Sequence, residues 1–113
     1  MADEDSSIAE LQAMEQAFQN LSLQKQNFQL QLAEVESALE QIQNAEKVYK
    51  IVGGVMVLAD RDAVKSDLES KKEILNLRIS SIEKQEEAMK KKASELQKRV
   101  VENLNSHAHQ HHK

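Results

Sequence analysis

The sequence predicts a mainly α protein: a long antiparallel coiled coil of two helices joined by a central β-hairpin. Three observations carry this reading. Two stretches repeat apolar residues with heptad spacing, a short run of β-forming residues separates them, and the chain's two glycines, Gly53 and Gly54, lie within that run. The background composition agrees. Among 113 residues there is no proline, 30% are charged, and Phe18, Phe28 and Tyr49 are the only aromatics. A compact globule of this length buries more large side chains, whereas long helices and coiled coils have this balance.

The first helix is expected over residues 8–46. Ser7 followed by Glu10 reads as a capping box, in which hydroxyl and carboxylate each satisfy an orphan backbone N–H. Asp3, Glu4 and Asp5 lie just upstream, where the positive end of a helix dipole favours them. One seam position then reads Leu11, Phe18, Lys25, Leu32 and Leu39, and the other Met14, Leu21, Phe28, Val35 and Ile42. Only Lys25 breaks an alternating three–four spacing sustained for five heptads.

The second helix is expected over residues 61–105, with Asp60 or Asp62 as its cap. Its seam reads Leu68, Leu75, Ile82, Met89 and Leu96, alternating with Lys72, Ile79, Glu86, Ala93 and Val100. Between the helices lies VYKIVGGVMVLA, residues 48–59. Val, Ile and Tyr favour strands, and Gly-Gly accepts the positive φ angles of a two-residue hairpin turn. That turn pairs Val52 with Val55, Ile51 with Met56, Lys50 with Val57, and Tyr49 with Leu58. One face then carries Tyr49, Ile51, Met56 and Leu58, and the other Val48, Lys50, Val52, Val55 and Val57. Both are largely apolar. An isolated two-stranded hairpin is barely stable in water, so this one is expected to join a larger sheet that one chain cannot supply. So short a connection folds the helices back on each other, with the hairpin at one end and both termini at the other.

Charge is segregated. Residues 1–47 hold nine acids and two bases, and residues 61–113 hold nine acids and twelve bases, within a net charge of −4. The halves are complementary, as suits helices lying side by side. The basic half carries too many acids for a nucleic-acid surface. The chain has no cysteine, and so neither disulfides nor a thiolate metal site. Its longest run of apolar residues, Ile51–Ala59, is far shorter than a membrane span and is broken by Gly53-Gly54. The acidic start MADEDSS is unlike a signal peptide, so a cytoplasmic protein is expected. No Lys and Ser/Thr follow Gly53-Gly54 as a phosphate loop requires, and no nucleophile–base arrangement is visible, which argues against an enzyme.

Some residues fall outside the periodic pattern. Lys25 and Glu86 each put a charge in the seam. Each can snorkel to water. Facing residue numbers in an antiparallel pair must sum to 107 or 114 for these seams to meet. Either register puts Lys25 and Glu86 in adjacent layers, where a polar pair fixes register at some cost in stability. Ile8, Val101 and Leu104 are apolar but lie beside the seams, and frayed helix ends would present them together, with Met14 and Met89 adding plasticity. Leu23 and Leu30 point away from the seam with no evident role. The tail from residue 106 to 113 holds His107, His109, His111 and His112. It reads as a disordered polar tail, although close histidines also bind zinc or nickel weakly.

The order of helix, VYKIVGGVMVL hairpin and long helix resembles a prefoldin beta-class subunit over roughly residues 8–104. Its most specific pieces are QKQ at Gln24–Gln26, the VYK and VGG of the hairpin, and the R-x-x-x-x-E-K-Q-E run from Arg78 to Glu86. The resemblance implies a hetero-hexamer of two alpha and four beta subunits. The hairpin segment Tyr49, Ile51, Val52, Gly53, Gly54, Val55, Met56, Val57 and Leu58 then enters a shared β-barrel. It also implies an ATP-independent chaperone without metal or other cofactor. Its coiled-coil tips, here Ile8, Leu11, Met14, Val100, Val101 and Leu104, capture unfolded proteins and pass them to a group II chaperonin. Neither nucleic acid nor membrane is a partner. The alternative reading is a structural or adaptor coiled coil that uses the hairpin as an oligomerisation clasp.

Overall fold

The computed structural model describes residues 2–111, with side chains described for residues 6–106. Four elements follow in order: α1 (Ala2–Ile42), β1 (Val48–Val52), β2 (Val55–Ala59) and α2 (Arg61–His111). The chain divides into two compact units. A terminal unit combines the chain up to Gln24 with the chain from Ile82 onward, and a hairpin unit spans Lys25–Ser81.

The helices form where the heptads predict, but their ends differ. α1 starts at Ala2, so Ser7 is an internal residue and not a cap. No proline or glycine upstream of Ser7 stops a helix. α1 ends at Ile42 instead of residue 46. The reason lies in α2: Arg61 donates from Nε to the Ile42 carbonyl at 2.9 Å and from Nη2 to the Gln43 carbonyl. Those carbonyls are orphaned at a helix C-terminus, where a cation is also favoured by the dipole. The Ala45 N–H closes the turn on the Ile42 carbonyl at 3.3 Å.

Asp60, not Asp62, caps α2. Its Oδ2 accepts from the Ala63 N–H at 3.3 Å, and its carbonyl accepts from the Val64 N–H at 3.0 Å. Asp62 sits in the first turn, where a carboxylate suits the dipole. α2 runs on through His111, past the expected end at residue 105, because no glycine or proline interrupts it. The expectation of a disordered tail therefore does not hold up to His111; its last two residues and its histidine side chains lie outside those described.

Each seam is recovered within its unit. In the hairpin unit, Ile42, Leu75 and Ile79 are buried; in the terminal unit, Ile82 and Leu96 are. The facing numbers select the first of the two registers. Every hairpin pair, from Val48–Ala59 to Val52–Val55, sums to 107. In the hairpin unit the Arg78 guanidinium lies 5.5 Å from the Phe28 ring centre, and in the terminal unit the Lys90 ammonium lies 5.6 Å from that of Phe18. These pairs sum to 106 and 108, one either side of the seam value, and far from 114. Each cation closes the side of the seam over an aromatic face, an arrangement worth about 0.5–1 kcal/mol at exposed sites.

Candidate functional site

The hairpin is the first surface of interest. Its pairing is the one expected, extended by Val48 with Ala59. Gly53 and Gly54 have φ of 57° and 79°, the two successive positive angles that a tight turn between right-twisted strands needs. A side chain at either position would meet no neighbour, so glycine is required there by backbone conformation and not by space. The sheet has two strands only, so each strand keeps one unpaired edge. Every residue from Tyr49 to Leu58 is exposed, and Ile51 and Met56 stay 77% and 67% accessible. Lys50 Nζ reaches Asp67 Oδ2 on α2 at 3.5 Å. This exposed ion pair adds little energy. By strand alternation Lys50 shares a face with Val52, Val55 and Val57, and the bulkier Tyr49, Ile51, Met56 and Leu58 make up the other.

The second surface belongs to the terminal unit. Leu11, Met14 and Val100 are half-buried in the seam, whereas Ile8, Val101 and Leu104 are exposed. The seam itself explains the change. Its next positions outward are Ser7 and Asn103, both polar and half-buried. The apolar residues there sit instead on the flank, Ile8 next to Ser7 and Leu104 next to Asn103. Beside the seam runs an open groove of about 570 Å³ with a floor of Ile8, Leu11, Met14, Phe18, Met89 and Ala93. Glu15 borders it on α1 and Lys90 on α2. A second hollow brings Leu11 together with Val100 and Val101. Met89 was expected to add plasticity here; Phe18 and Ala93 were legible as seam residues, but the sequence does not place them in this surface.

Glu86 is buried, at 7% accessibility, and accepts a hydrogen bond from Ser22 Oγ at 3.2 Å, both within the terminal unit. It therefore does not reach water as a snorkelling side chain would. Lys25 is half-buried in its own seam position. The two belong to different units, and their energetic coupling remains a proposal for a double-mutant cycle. Sequence reasoning missed Ser22 and Arg61. Once the register is known, Ser22 follows from its place beside Leu21, level with Glu86; Arg61 carried no signal of its own.

Among the described residues four more large apolar side chains are exposed on the helices: Leu23 and Leu30 on α1, and Ile74 and Leu77 on α2. Among the described residues no group of His, Asp or Glu is arranged to hold a metal ion, and no helix is long and apolar enough to cross a membrane.

Comparison with known proteins places this architecture. A model of the prefoldin subunit family matches residues 6–107. The prefoldin subunit beta of Saccharolobus islandicus is 32% identical over 103 residues, covering 88% of this chain and 82% of that protein. The one from Thermococcus onnurineus is 33% identical over 96 residues, covering 82% and 83%. The crystal structure of the prefoldin beta subunit from Thermococcus strain KS-1 superposes with a TM-score of 0.84 at 31% identity, covering 89% of this chain and 91% of that one. On sequence, hairpin and helices together, this chain belongs to the prefoldin subunit family, in its beta class.

Proposed function

We propose that this chain works as one subunit of an ATP-independent, cytoplasmic chaperone that captures unfolded polypeptides and delivers them to a group II chaperonin. The hairpin joins alpha-class and further beta subunits in a shared β-barrel, forming a hetero-hexamer. The terminal unit supplies the client surface through Ile8, Leu11, Met14, Val100, Val101 and Leu104. The observation that carries this reading is the open apolar groove that runs from Ile8 past Phe18 and Met89, together with Ile8, Val101 and Leu104 exposed beside the seam. Apolar side chains placed beside a seam, and not in it, contribute to a partner's burial instead of the pair's own. An unfolded chain exposes scattered apolar groups, so several such ends in one assembly hold it by many weak contacts. Weak contacts let it go without nucleotide hydrolysis.

The test mixes the chain with an alpha-class subunit, confirms the assembled mass by light scattering, and follows aggregation of unrelated denatured proteins. Suppression near one assembly per client is expected. In the triple variant Ile8→Ser, Val101→Ser, Leu104→Ser, mass should be unchanged and suppression at least several-fold weaker. A fully assembled wild type without suppression would favour an adaptor coiled coil clasped by the hairpin.

A further inference from the structure

The reading of the terminal unit as a client surface leaves open what form the client takes there. Building on that reading, we propose that the groove beside Phe18 and Met89 takes its occupant as an amphipathic helix of about three turns, not as an extended strand. Both walls are helices, α1 from Ile8 to Gln19 and α2 from Met89 to Gln97, whose N–H and C=O groups are spent within the helices. An extended peptide gains affinity by pairing its backbone with a free sheet edge, and this groove has none. Laid in this groove, it would have only water and the side chains of Gln12, Glu15, Gln19, Lys90 and Gln97 as backbone partners, whereas a helix satisfies its backbone internally.

The floor has helical spacing. On α1 it is built from Ile8, Leu11, Met14 and Phe18, spaced three, three and four; on α2, Met89 and Ala93 are four apart. Such rows form the ridges and holes into which a third helix fits residues spaced i, i+3 or i+4, and i+7. Ala93 is small and admits a bulky side chain between Met89 and the α1 row. From Ile8 to Phe18 the wall is roughly 15 Å long at 1.5 Å per residue, the length of about three helical turns.

The rims add direction. Glu15 borders the α1 side and Lys90 the α2 side, where the Lys90 ammonium is held over the Phe18 ring at 5.6 Å. A helix whose apolar stripe is flanked by bases on one side and acids on the other meets both with opposite charge. The occupant is thus a client segment with heptad-like apolar spacing and segregated flanking charge.

The test uses the full chain and two dye-labelled peptides of identical composition, each about fourteen residues long. One has leucines at helical spacing with acidic and basic flanks; the other has the same residues in strict alternation. Fluorescence anisotropy is expected to show at least about tenfold tighter binding of the first, and far-UV circular dichroism a gain in helicity beyond the sum of the parts. Ile8→Asp should weaken that binding about tenfold; since Ile8 is 44% exposed, this variant keeps the fold. Lys90→Glu should reduce it several-fold for the peptide with the acidic flank and less for one with the flanks exchanged. Equal or tighter binding of the alternating peptide, or binding without helicity gain, overturns the helical occupant while leaving the client reading intact. Binding of neither peptide by an assembly that still suppresses aggregation also overturns it, and moves the client elsewhere. Binding of neither with no suppression would end both.

Discussion

At position 86 the seam carries a carboxylate where its period requires an apolar group, and the residue is nearly enclosed. A buried carboxylate must be hydrogen-bonded or paired to stay charged. Ser22 meets part of that need with its hydroxyl at 3.2 Å. Removing the hydroxyl alone leaves the carboxylate less well satisfied, whereas removing both groups removes the need itself. Ser22→Ala is therefore expected to lower unfolding free energy by about 1 kcal/mol, and to cost close to nothing in a Glu86→Leu background. Denaturant melts of the four proteins check this. Equal costs in both backgrounds would show that the hydroxyl contributes independently of Glu86. The same cycle run with Lys25→Ala decides the coupling proposed for that residue.

Among the elements, the hairpin is the one with least support from its own chain. Its helical neighbours bury one stripe each, but the Tyr49, Ile51, Met56 and Leu58 face is open and lies opposite the one that carries Lys50. Ile51→Asp with Met56→Asp places charge on accessible positions, so the single chain should tolerate it with helicity unchanged. If these side chains enter a shared sheet, the same change buries two charges per hairpin at several kcal/mol each. The expected result is loss of the assembled mass in light scattering at an unaltered helical spectrum; a full-size assembly would refute the shared sheet. This element was also the most legible in the sequence, because Gly53-Gly54 and the alternation around it fix turn and register locally. The heptad seams were equally readable. The helix ends were not. Ser7 with Glu10 satisfies a local capping pattern, yet α1 reads straight through it, since a cap stops nothing when the upstream residues are helix-compatible. The end of α1 is set by Arg61, distant in sequence, and no local pattern near Ile42 announces it. The proposed client surface was half legible. Ile8, Val101 and Leu104 stand out as off-seam residues, but the groove also recruits seam residues, which the sequence presents as core.

For the whole molecule, what matters is that two helices cannot enclose a core. Among the described residues no large side chain is completely buried, and the least accessible seam residues, Ile82 and Leu96, still keep 5% of their surface. Such a chain contributes surfaces more than an interior, and the two surfaces here belong to different units: the hairpin to one, the groove to the other. Assembly and client holding should therefore separate under truncation. Removing residues 1–10 and 101–113 deletes Ile8, Val101 and Leu104 and one edge of the groove, but leaves the hairpin unit untouched. The assembled mass is expected to fall only by the deleted residues, while suppression of client aggregation drops severely. The loss should exceed that from any single substitution, because weak contacts repeated across several subunits multiply in their effect on holding. Deleting only residues 107–113 should change suppression little, since that stretch holds no large apolar side chain. Light scattering and aggregation assays on both truncations decide the matter. Full suppression by the longer truncation would move the client site away from the terminal unit, and loss of assembled mass would mean that the two units do not act independently.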